Sequence, residues 1–310
     1  GIVLLLFAFV PQFGAEGVWV SGFTAISAFC NAGFDLFGRF GAYSSLVPYV
    51  NNYYVQAVIM FMIMAGGLGF MVWVELAEYR KKRRLSLHAK VVLQFSVIFW
   101  VGGAVLLALL EWSNPRTMGG LSVPGKIMAA LFQSVSTRTA GMNTIDLAAC
   151  SPISKLLMSV LQFIGAAPGS TGGGVKVTTF AVLILTIRSV AQGRDDCVIG
   201  GHHIESKTVY RALTIIVIGA VAAFGSAVVV YYNTAETVSV IDCIFESCSA
   251  FGTVGLSVGV TGQLNTGAKL LYMACMFMGR VGPVSLAISL TAKPDDNKRK
   301  VLPVGHINVG

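Results

Sequence analysis

The sequence predicts an all-α membrane protein made of repeated units, each with a span, a short re-entrant helix and a second span. Three observations predict this class: the composition, the length of the apolar segments and the recurrence of one glycine pattern. Hydrophobic residues make up 55% of the 310 residues and charged residues 12%, with a mean hydropathy of +0.74. A soluble domain carries about twice that share of charge. This composition excludes a disordered chain, a secreted disulfide scaffold and a nucleic-acid-binding protein.

The basic residues are clustered, and their positions predict which side of the membrane is cytoplasmic. The chain has 22 Lys and Arg against 14 Asp and Glu, a net charge of +8. Fourteen of the 22 basic residues lie in three segments: Arg80, Lys81, Lys82, Arg83, Arg84 and Lys90; Arg188, Arg194, Lys207 and Arg211; and Lys293, Lys298, Arg299 and Lys300. Cytoplasmic loops are enriched in Lys and Arg, so these segments are predicted to be cytoplasmic. We interpret the charge as a topology signal.

The residues that usually carry enzyme or metal chemistry form no recognisable set. The six cysteines contain no CxxC pair and fall mostly in apolar segments, which favours buried free thiols over a zinc site. The four histidines are scattered. No Ser-His-Asp set, intramembrane carboxylate pair or His/Glu metal motif is visible. The sequence therefore predicts a protein that is not an enzyme and has no covalent cofactor.

Five apolar segments are predicted to cross the membrane: residues 50–79, 91–112, 153–187, 208–232 and 268–290. Residues 91–110 contain only Gln94 and one Ser as polar side chains, enough to cross about 30 Å of hydrocarbon. Residues 65–69, mostly Gly, interrupt the first segment, and we interpret them as a place of close helix packing. About ten apolar residues precede Pro11, which is half a span, so we expect the natural protein to begin further upstream.

Three apolar segments between the spans are too short to cross and predict re-entrant helices: residues 17–29, 124–135 and 240–251. Pro124 suits the first turn of such a helix. Each segment is followed by a polar residue, a small or β-branched residue, Gly and a large apolar residue. The three glycines, Gly33, Gly141 and Gly255, are 108 and 114 residues apart. The pattern therefore recurs once in each unit of span, short helix and span.

This recurrence points to an ion-binding backbone. Irregular backbone at membrane depth is tolerated where protein or a water-filled cavity satisfies it. The C-terminal end of a short helix carries partial negative charge, and Gly permits the dihedral angles that turn carbonyl oxygens toward an axis. Rings of carbonyl oxygens replace the hydration shell of potassium. Residues 253–256 (Thr-Val-Gly-Leu) also match the core of potassium-channel filters. The alternative is that the glycine loops only turn the chain between helices.

Five motifs of the chain resemble the Trk/Ktr/HKT superfamily of potassium transporters, and most of all its bacterial KtrB-type membrane subunit. They are residues 27–35 (Ser-Ala-Phe-Cys-Asn-Ala-Gly-Phe-Asp), 138–144 (Arg-Thr-Ala-Gly-Met-Asn-Thr), 168–176 (Pro-Gly-Ser-Thr-Gly-Gly-Gly-Val-Lys), 249–257 (Ser-Ala-Phe-Gly-Thr-Val-Gly-Leu-Ser) and 278–283 (Met-Gly-Arg-Val-Gly-Pro). The resemblance implies four repeats arranged pseudo-fourfold around one pore, and it covers essentially the whole chain.

Three of those four repeats are recognised. Residues 1–90 correspond to the second repeat with a truncated first span, 91–207 to the third and 208–292 to the fourth, while 293–310 form a cytoplasmic tail. Repeat one is missing, and we expect it to exist in the native protein because three quarters of a filter do not enclose an ion. Repeat three is one residue shorter between Phe132 and Gly141 than its counterparts.

Matched position by position, the resemblance assigns two groups of residues to the site. The selectivity filter comprises Asn31, Ala32, Gly33 and Phe34; Thr139, Ala140, Gly141 and Met142; and Thr253, Val254, Gly255 and Leu256. Potassium is expected at the carbonyl oxygens of these loops, with sodium as a further activating or coupled ion. The gate comprises Gly169, Ser170, Thr171, Gly172, Gly173, Gly174, Lys176 and Arg280.

The two parts of the gate each leave an alternative. Residues 165–174 contain five glycines and a proline, which break a continuous helix. The resemblance implies an intramembrane loop that gates the filter. A passive hinge is one alternative, and a phosphate-binding loop is another, although Val175 stands where such a loop needs Lys. Arg280 lies near the middle of the predicted span 268–290, and the resemblance implies that it faces the pore. The alternatives are that its side chain extends to the membrane surface or that it is a structural anchor.

The function implied is channel-like uptake of potassium. The resemblance also implies a homodimer in the bacterial inner membrane, surrounded by lipid, with separate cytosolic RCK-type subunits that bind ATP, ADP or NAD. These subunits are expected to contact the basic cytoplasmic loops. The alternatives are a sodium-conducting protein and a potassium/sodium-coupled symporter of the same family. A secondary transporter with inverted repeats is less favoured, because the three repeats share one orientation.

Overall fold

The structure is a computed structural model that describes residues 1–41, 44–193, 197–234 and 238–282. The predicted cytoplasmic tail at 293–310, with its four basic residues, lies outside the described residues. Arg194 and the C-terminal part of the span predicted at 268–290 also lie outside them.

Helices form nearly all of the regular structure in the described residues, as predicted. They are α1 (Ile2–Phe13), α2 (Glu16–Phe29), α3 (Tyr53–Gly67), α4 (Phe70–Lys82), α5 (Leu87–Glu111), α6 (Val123–Thr137), α7 (Pro152–Phe163), α8 (Val177–Ala191), α9 (Ser206–Asn233), α10 (Val240–Gly252) and α11 (Thr266–Val281). Two short antiparallel strands, β1 (Val198–Ile199) and β2 (His202–His203), join α8 to α9. An incoming helix, a short helix and an outgoing helix follow one another three times, and the first incoming helix, α1, has 12 residues.

The predicted spans differ in continuity. Helices α5 and α9, of 25 and 28 residues, are long and apolar enough to cross a membrane as single helices. Helices α3 and α4 satisfy the same test only as a pair, bent by 99°. The segment predicted at 153–187 is divided into α7 and α8 by residues 164–176. Of the five predicted spans, two are single long helices in the described residues, and the breaks in two others fall at the glycine-rich runs where the sequence predicts an interruption.

The outer faces of the long helices carry apolar side chains at helical spacing. On α5 the exposed residues are Val97, Ile98, Val101, Val105 and Leu109, and on α9 they are Tyr210, Leu213, Val217, Val221, Phe224 and Val228. Exposed stripes of this size and composition are typical of faces that contact lipid. The fold is therefore that of a membrane protein.

The three short helices form where the sequence predicts them, as α2, α6 and α10. Ser122 caps α6 by accepting a hydrogen bond from the Gly125 N–H, and Pro124 occupies the first turn as expected. Each short helix packs on the helix that precedes it in the chain: α2 on α1, α6 on α5 and α10 on α9. Helix α6 also packs on α3 of the unit before, and α10 on α7. The repeated contacts place the C-terminal ends of the short helices around one centre.

Glycines with a left-handed backbone lie at two helix ends: Gly69 directly precedes α4, and Gly282 directly follows α11. The φ angle is +84° at Gly69 and +98° at Gly282. A Cβ atom at Gly69 would lie 2.5 Å from the Pro168 oxygen, so the position requires glycine for space as well as for conformation. As a consequence, Arg280 lies in the last turn of α11, whereas the sequence suggested the middle of a longer helix.

Candidate functional site: three glycine loops and the segment beneath them

Each short helix is followed by a loop with the same backbone signature. The predicted filter glycine and the residue two positions before it both have positive φ angles: Asn31 (+49°) and Gly33 (+74°), Thr139 (+91°) and Gly141 (+80°), and Thr253 (+51°) and Gly255 (+93°). Left-handed residues alternate with a residue of ordinary conformation, so successive carbonyl groups are reoriented in the same way in all three loops. The recurrence predicted from sequence is therefore also a recurrence of backbone geometry.

The loops meet at their glycines. A Cβ atom added to Gly141 would lie 2.1 Å from the Val254 carbonyl oxygen and 3.1 Å from the Cα atom of Gly33. A Cβ atom added to Gly33 would lie 2.8 Å from the Ala140 carbonyl oxygen. Side chains larger than hydrogen are thus excluded from the centre, which is lined by backbone atoms.

A serine side chain braces each loop from behind. Ser27 Oγ donates to the Phe34 carbonyl (2.6 Å), Ser249 Oγ to the Leu256 carbonyl (2.7 Å) and Ser136 Oγ to the Met142 carbonyl. The brace spans seven residues in the first two cases and six in the loop of α6. The predicted one-residue difference of repeat three is confirmed here, and it lies between the serine and the glycine.

The segment between α7 and α8, residues 164–176, lies directly against these three loops. Thr171 Oγ1 accepts a hydrogen bond from Asn31 Nδ2 (3.0 Å) and donates one to the Phe29 carbonyl (3.1 Å). A Cβ atom at Gly172 would lie 2.4 Å from Thr139 Oγ1, and one at Gly173 would lie 2.1 Å from Thr253 Oγ1. Three consecutive residues of the segment therefore contact the three predicted filter loops, one each.

The segment is held by the break between α3 and α4. The Ala167 N–H donates to the Gly67 carbonyl (3.0 Å) and the Thr171 N–H to the Gly66 carbonyl (3.3 Å), while Phe70 N–H donates to the Gly169 carbonyl (3.2 Å). These bonds satisfy backbone groups that the end of α3 leaves free. The glycines of this run also permit close contact: a Cβ atom at Gly66 would lie 1.8 Å from the Phe29 oxygen.

The close packing predicted for residues 65–69 is thus confirmed, but its partners are the end of α2 and the glycine-rich segment. With the Gly174 N–H bonded to the Gly279 carbonyl (3.1 Å) as well, the segment directs several of its N–H groups to helix ends. The phosphate-binding alternative gains no support from this arrangement, since it requires free N–H groups after a strand.

The other predicted gate residues contact the same segment. Arg280 Nη1 donates to the Thr171 carbonyl, and Lys176 Nζ donates to the Gly172 carbonyl. Ser170 Oγ donates to the Ala167 carbonyl (2.5 Å) and accepts from the Gly172 N–H (3.3 Å). Among the described residues, no carboxylate forms a salt bridge with either cation.

Two buried charged residues of the site had no role in the sequence-based assignment. Arg138 precedes the loop of α6, and Glu246 lies within α10; each is 4% exposed. The Glu246 carboxylate accepts hydrogen bonds from the Ser257 and Thr261 hydroxyls and from the Val258 and Val260 N–H groups. It therefore orders the chain that follows the third glycine loop. The available signal for Glu246 was a carboxylate in the middle of an apolar short helix, one turn after Asp242.

The cysteines are mostly buried, as their positions in apolar segments predict. Cys30 is exposed and the other five cysteines are buried, all six as free thiols. Within residues 1–41, 44–193, 197–234 and 238–282, no group of three His, Cys, Asp or Glu residues is arranged to hold a metal ion.

Comparisons with known proteins agree on one family. The family described as TrkH, cation transport protein, matches residues 2–300. The chain is 36% identical over 296 residues to the potassium/sodium uptake protein NtpJ of Enterococcus hirae, which covers 94% of this chain and 64% of that protein. It is 34% identical over 309 residues to the Ktr system potassium uptake protein B of Bacillus subtilis (99% and 67%) and 38% identical over 298 residues to that of Vibrio alginolyticus (95% and 64%).

A solved structure agrees on the fold. The crystal structure of the potassium transporter TrkH from Vibrio parahaemolyticus aligns with a TM-score of 0.72 at 19% identity, and covers 93% of this chain and 62% of that one. The chain thus spans about two thirds of the length of its relatives. By its sequence and its fold, the chain belongs to the TrkH family of cation transport proteins, as a Trk/Ktr-type membrane subunit.

Proposed function

We propose that this protein takes up potassium across the membrane through a filter lined by backbone carbonyl groups. One observation carries the proposal: three loops, 108 and 114 residues apart in sequence, share positive φ angles at the glycine and at the residue two before it, and converge. Independent turns have no reason to share both features. Carbonyl oxygens directed at a common axis replace the hydration shell of a monovalent cation.

The inner end of the proposed filter offers further oxygen atoms. The hydroxyl groups of Thr139 and Thr253 are buried, and in the described part of the structure they have no hydrogen-bond partner. An unpaired buried hydroxyl is costly and calls for a partner, which can be a water molecule or an ion. Both fit an ion that passes from the carbonyl groups toward residues 172 and 173.

We further propose that residues 169–174 and Lys176 close this path and that Arg280 holds them closed. The support is the contact of residues 171, 172 and 173 with all three loops, together with the bond from Arg280 to the Thr171 carbonyl. A positive charge beside the path also opposes the entry of a cation. The hinge alternative remains, since a segment in this position joins two helices in any case.

The relatives guide the proposals on partners and location. Three relatives are named as proteins of a Ktr system, a name that indicates several components. We propose a homodimer in the bacterial inner membrane, regulated by separate RCK-type subunits that bind ATP, ADP or NAD. The basic end of α4, from Arg80 to Lys82, and the residues around Lys90 would lie on the cytoplasmic side and receive them.

A second candidate function is sodium conduction or coupled uptake of potassium and sodium. The observation that favours it is the name of the Enterococcus hirae relative, which is a potassium/sodium uptake protein. Both candidates use the same loops, and they differ in which ions pass and in whether one drives the other.

The test is ion flux into liposomes that contain the purified protein. We expect potassium to move down its own gradient in the absence of sodium, and sodium alone to move much more slowly. Potassium flux that requires sodium on the same side would support the coupled alternative. Flux of neither ion from correctly inserted protein would contradict both candidates.

A further inference from the structure

Arg138 is a buried cation without an acidic partner. It follows α6 directly, precedes the loop of Thr139 and Gly141, and is 4% exposed. Among the described residues, no salt bridge involves its guanidinium group. A buried, unpaired charge is expensive, and a guanidinium group does not escape the cost by losing its proton. The residue therefore needs other partners, and the position needs a reason to hold a charge.

Two aromatic rings and one carbonyl group replace the missing acid. The Arg138 guanidinium carbon lies 5.2 Å from the centre of the Phe99 ring and 5.8 Å from the centre of the Trp100 ring. Both distances are within the range of a cation–π interaction. Arg138 Nη2 donates to the Gly165 carbonyl at 2.8 Å. Gly165 is the second residue of the segment 164–176, so one side chain joins the α6 loop to the beginning of the segment that contains the proposed gate.

The aromatic side of this contact is itself fixed. Ser134 Oγ, on α6, donates to the carbonyl groups of Phe99 (3.1 Å) and Trp100 (2.8 Å) and thereby holds α5 against α6. The Phe99 ring also packs on Phe180 of α8, with 5.7 Å between ring centres. The guanidinium group is thus held between two rings of α5, one of which packs on α8, and the Gly165 carbonyl.

Arg138 and Arg280 hold different parts of that segment. Arg138 is buried and contacts its beginning at Gly165, whereas Arg280 is exposed and contacts its middle at Thr171. The guanidinium group of Arg138 is buried and has several fixed contacts, so it is suited to a permanent attachment. The exposed guanidinium group of Arg280 has one contact, so it is suited to a contact that can be released.

We propose that Arg138 is a positioning residue that fixes the α6 loop to the stationary end of the gate segment and so keeps the Ala140 carbonyl directed at the ion path. This inference rests on the proposed function. Its consequence is specific: weakening the Arg138 contacts should reduce discrimination between potassium and sodium, whereas weakening the Arg280 contact should change the rate.

The experiment uses competition between potassium and sodium in uptake by the full protein, normalised to the amount inserted in the membrane. Phe99→Leu removes one ring from the guanidinium group and leaves Arg138 and its bond to Gly165 in place. We expect the potassium-to-sodium ratio to fall by about threefold to tenfold, the change that corresponds to loss of one cation–π contact. Phe13→Leu is the matched control: it removes a partly buried ring that lies 5.0 Å from the guanidinium group of a different residue, Arg39, and it should keep the wild-type ratio.

Variants of Arg138 itself separate charge from geometry. Arg138→Lys keeps the charge and one donor nitrogen and should retain an intermediate potassium-to-sodium ratio. Arg138→Gln and Arg138→Met should lower that ratio further. A structural role alone would lower the amount of inserted protein without changing the ratio of the surviving molecules, and that result would overturn the proposal. If Arg138→Met fails to insert, Phe99→Leu decides the question. A wild-type protein that moves neither ion would instead overturn the proposed function.

Discussion

At the scale of single residues, the absence of side chains is the main requirement of the site. Gly33 and Gly141 have positive φ angles, and an added Cβ atom at either would approach backbone oxygen atoms of another repeat. Gly255 has the same conformation, but the nearest atom to an added Cβ is the Gly141 Cα atom at 3.9 Å. The three glycines therefore share a conformational need and differ in how crowded they are.

We expect Gly141→Ser to weaken potassium selectivity more than Gly255→Ser. Both substitutions place a side chain on left-handed backbone, at a cost of about 1–2 kcal/mol, and that strain is relieved by turning the carbonyl groups away. The Gly141 variant adds a direct clash with the Val254 oxygen. The measurement is uptake of each ion by a potassium-uptake-deficient cell at low potassium.

Gly22→Ser is the control for these variants, because Gly22 lies in α2 and nothing surrounds its would-be Cβ atom within 4 Å. It should behave as wild type. Unchanged affinity in both the Gly141 and the Gly255 variants would remove the filter assignment.

Arg280 is the second residue whose substitution has a definite expected result. Arg280→Ala removes a charge-assisted hydrogen bond to the Thr171 carbonyl, so flux should rise by up to about tenfold with little change in apparent affinity. Arg280→Lys keeps the charge and should stay nearer to wild type. Lys269→Ala, at the other end of α11, is the control.

The quantity to measure is flux per inserted molecule. A structural anchor would give poor membrane expression for Arg280→Ala together with normal flux per surviving molecule. That outcome would contradict the proposed role as a barrier.

At the scale of elements, the break in α3 and the segment between α7 and α8 form one unit. Each leaves some of its backbone N–H and C=O groups without an internal partner. These groups form hydrogen bonds with the other element through residues 66–70 and 167–171. The fit depends on glycine at both surfaces. The segment is held by backbone hydrogen bonds at its edges and contacts the filter loops at its centre. Such an element is suited to moving as a rigid body.

Deleting part of residues 169–174 should raise the maximal uptake rate and make it less dependent on any cytosolic partner. The physical reason is that residues 171–173 lie against the inner ends of all three loops. Uptake kinetics with and without the partner would show the change. If a correctly inserted deletion variant keeps wild-type flux, the segment is a hinge and does not gate.

At the scale of the whole molecule, the repeats are joined by a few specific contacts in addition to apolar packing. Lys155 Nζ on α7 lies 2.7 Å from Asp242 Oδ1 on α10, with side-chain exposures of 10% and 22%. The pair connects the outgoing helix of one repeat to the short helix of the next. It therefore sets the position of α10, whose C-terminal end leads into the third loop.

Lys155→Met should destabilise the protein by roughly 1–3 kcal/mol, because it leaves the partly buried Asp242 carboxylate without its cation. The double variant Lys155→Met, Asp242→Leu should recover part of that loss, since it removes both charges. Thermal unfolding in detergent, followed by the fraction of protein that stays monodisperse, measures both effects. A Lys155→Met variant as stable as the wild-type protein would show that the pair contributes nothing. Lys126→Met, a cation on α6 that stacks on Trp112 at the surface, serves as the control.

The amino-acid sequence by itself determined the class of protein, the three short helices and the three glycine loops, because these depend on local properties. Apolar length, helix caps such as Ser122, and the φ angles that glycine permits are encoded within a few residues. The tertiary structure alone decided which groups meet: the segment at 164–176 with the end of α3, Arg138 with Phe99 and Gly165, and Arg280 with Thr171. These partners are 27 to 109 residues apart in the sequence. A backbone N–H or guanidinium donor can bond to any carbonyl group, so only the packing of the chain decides which one it meets.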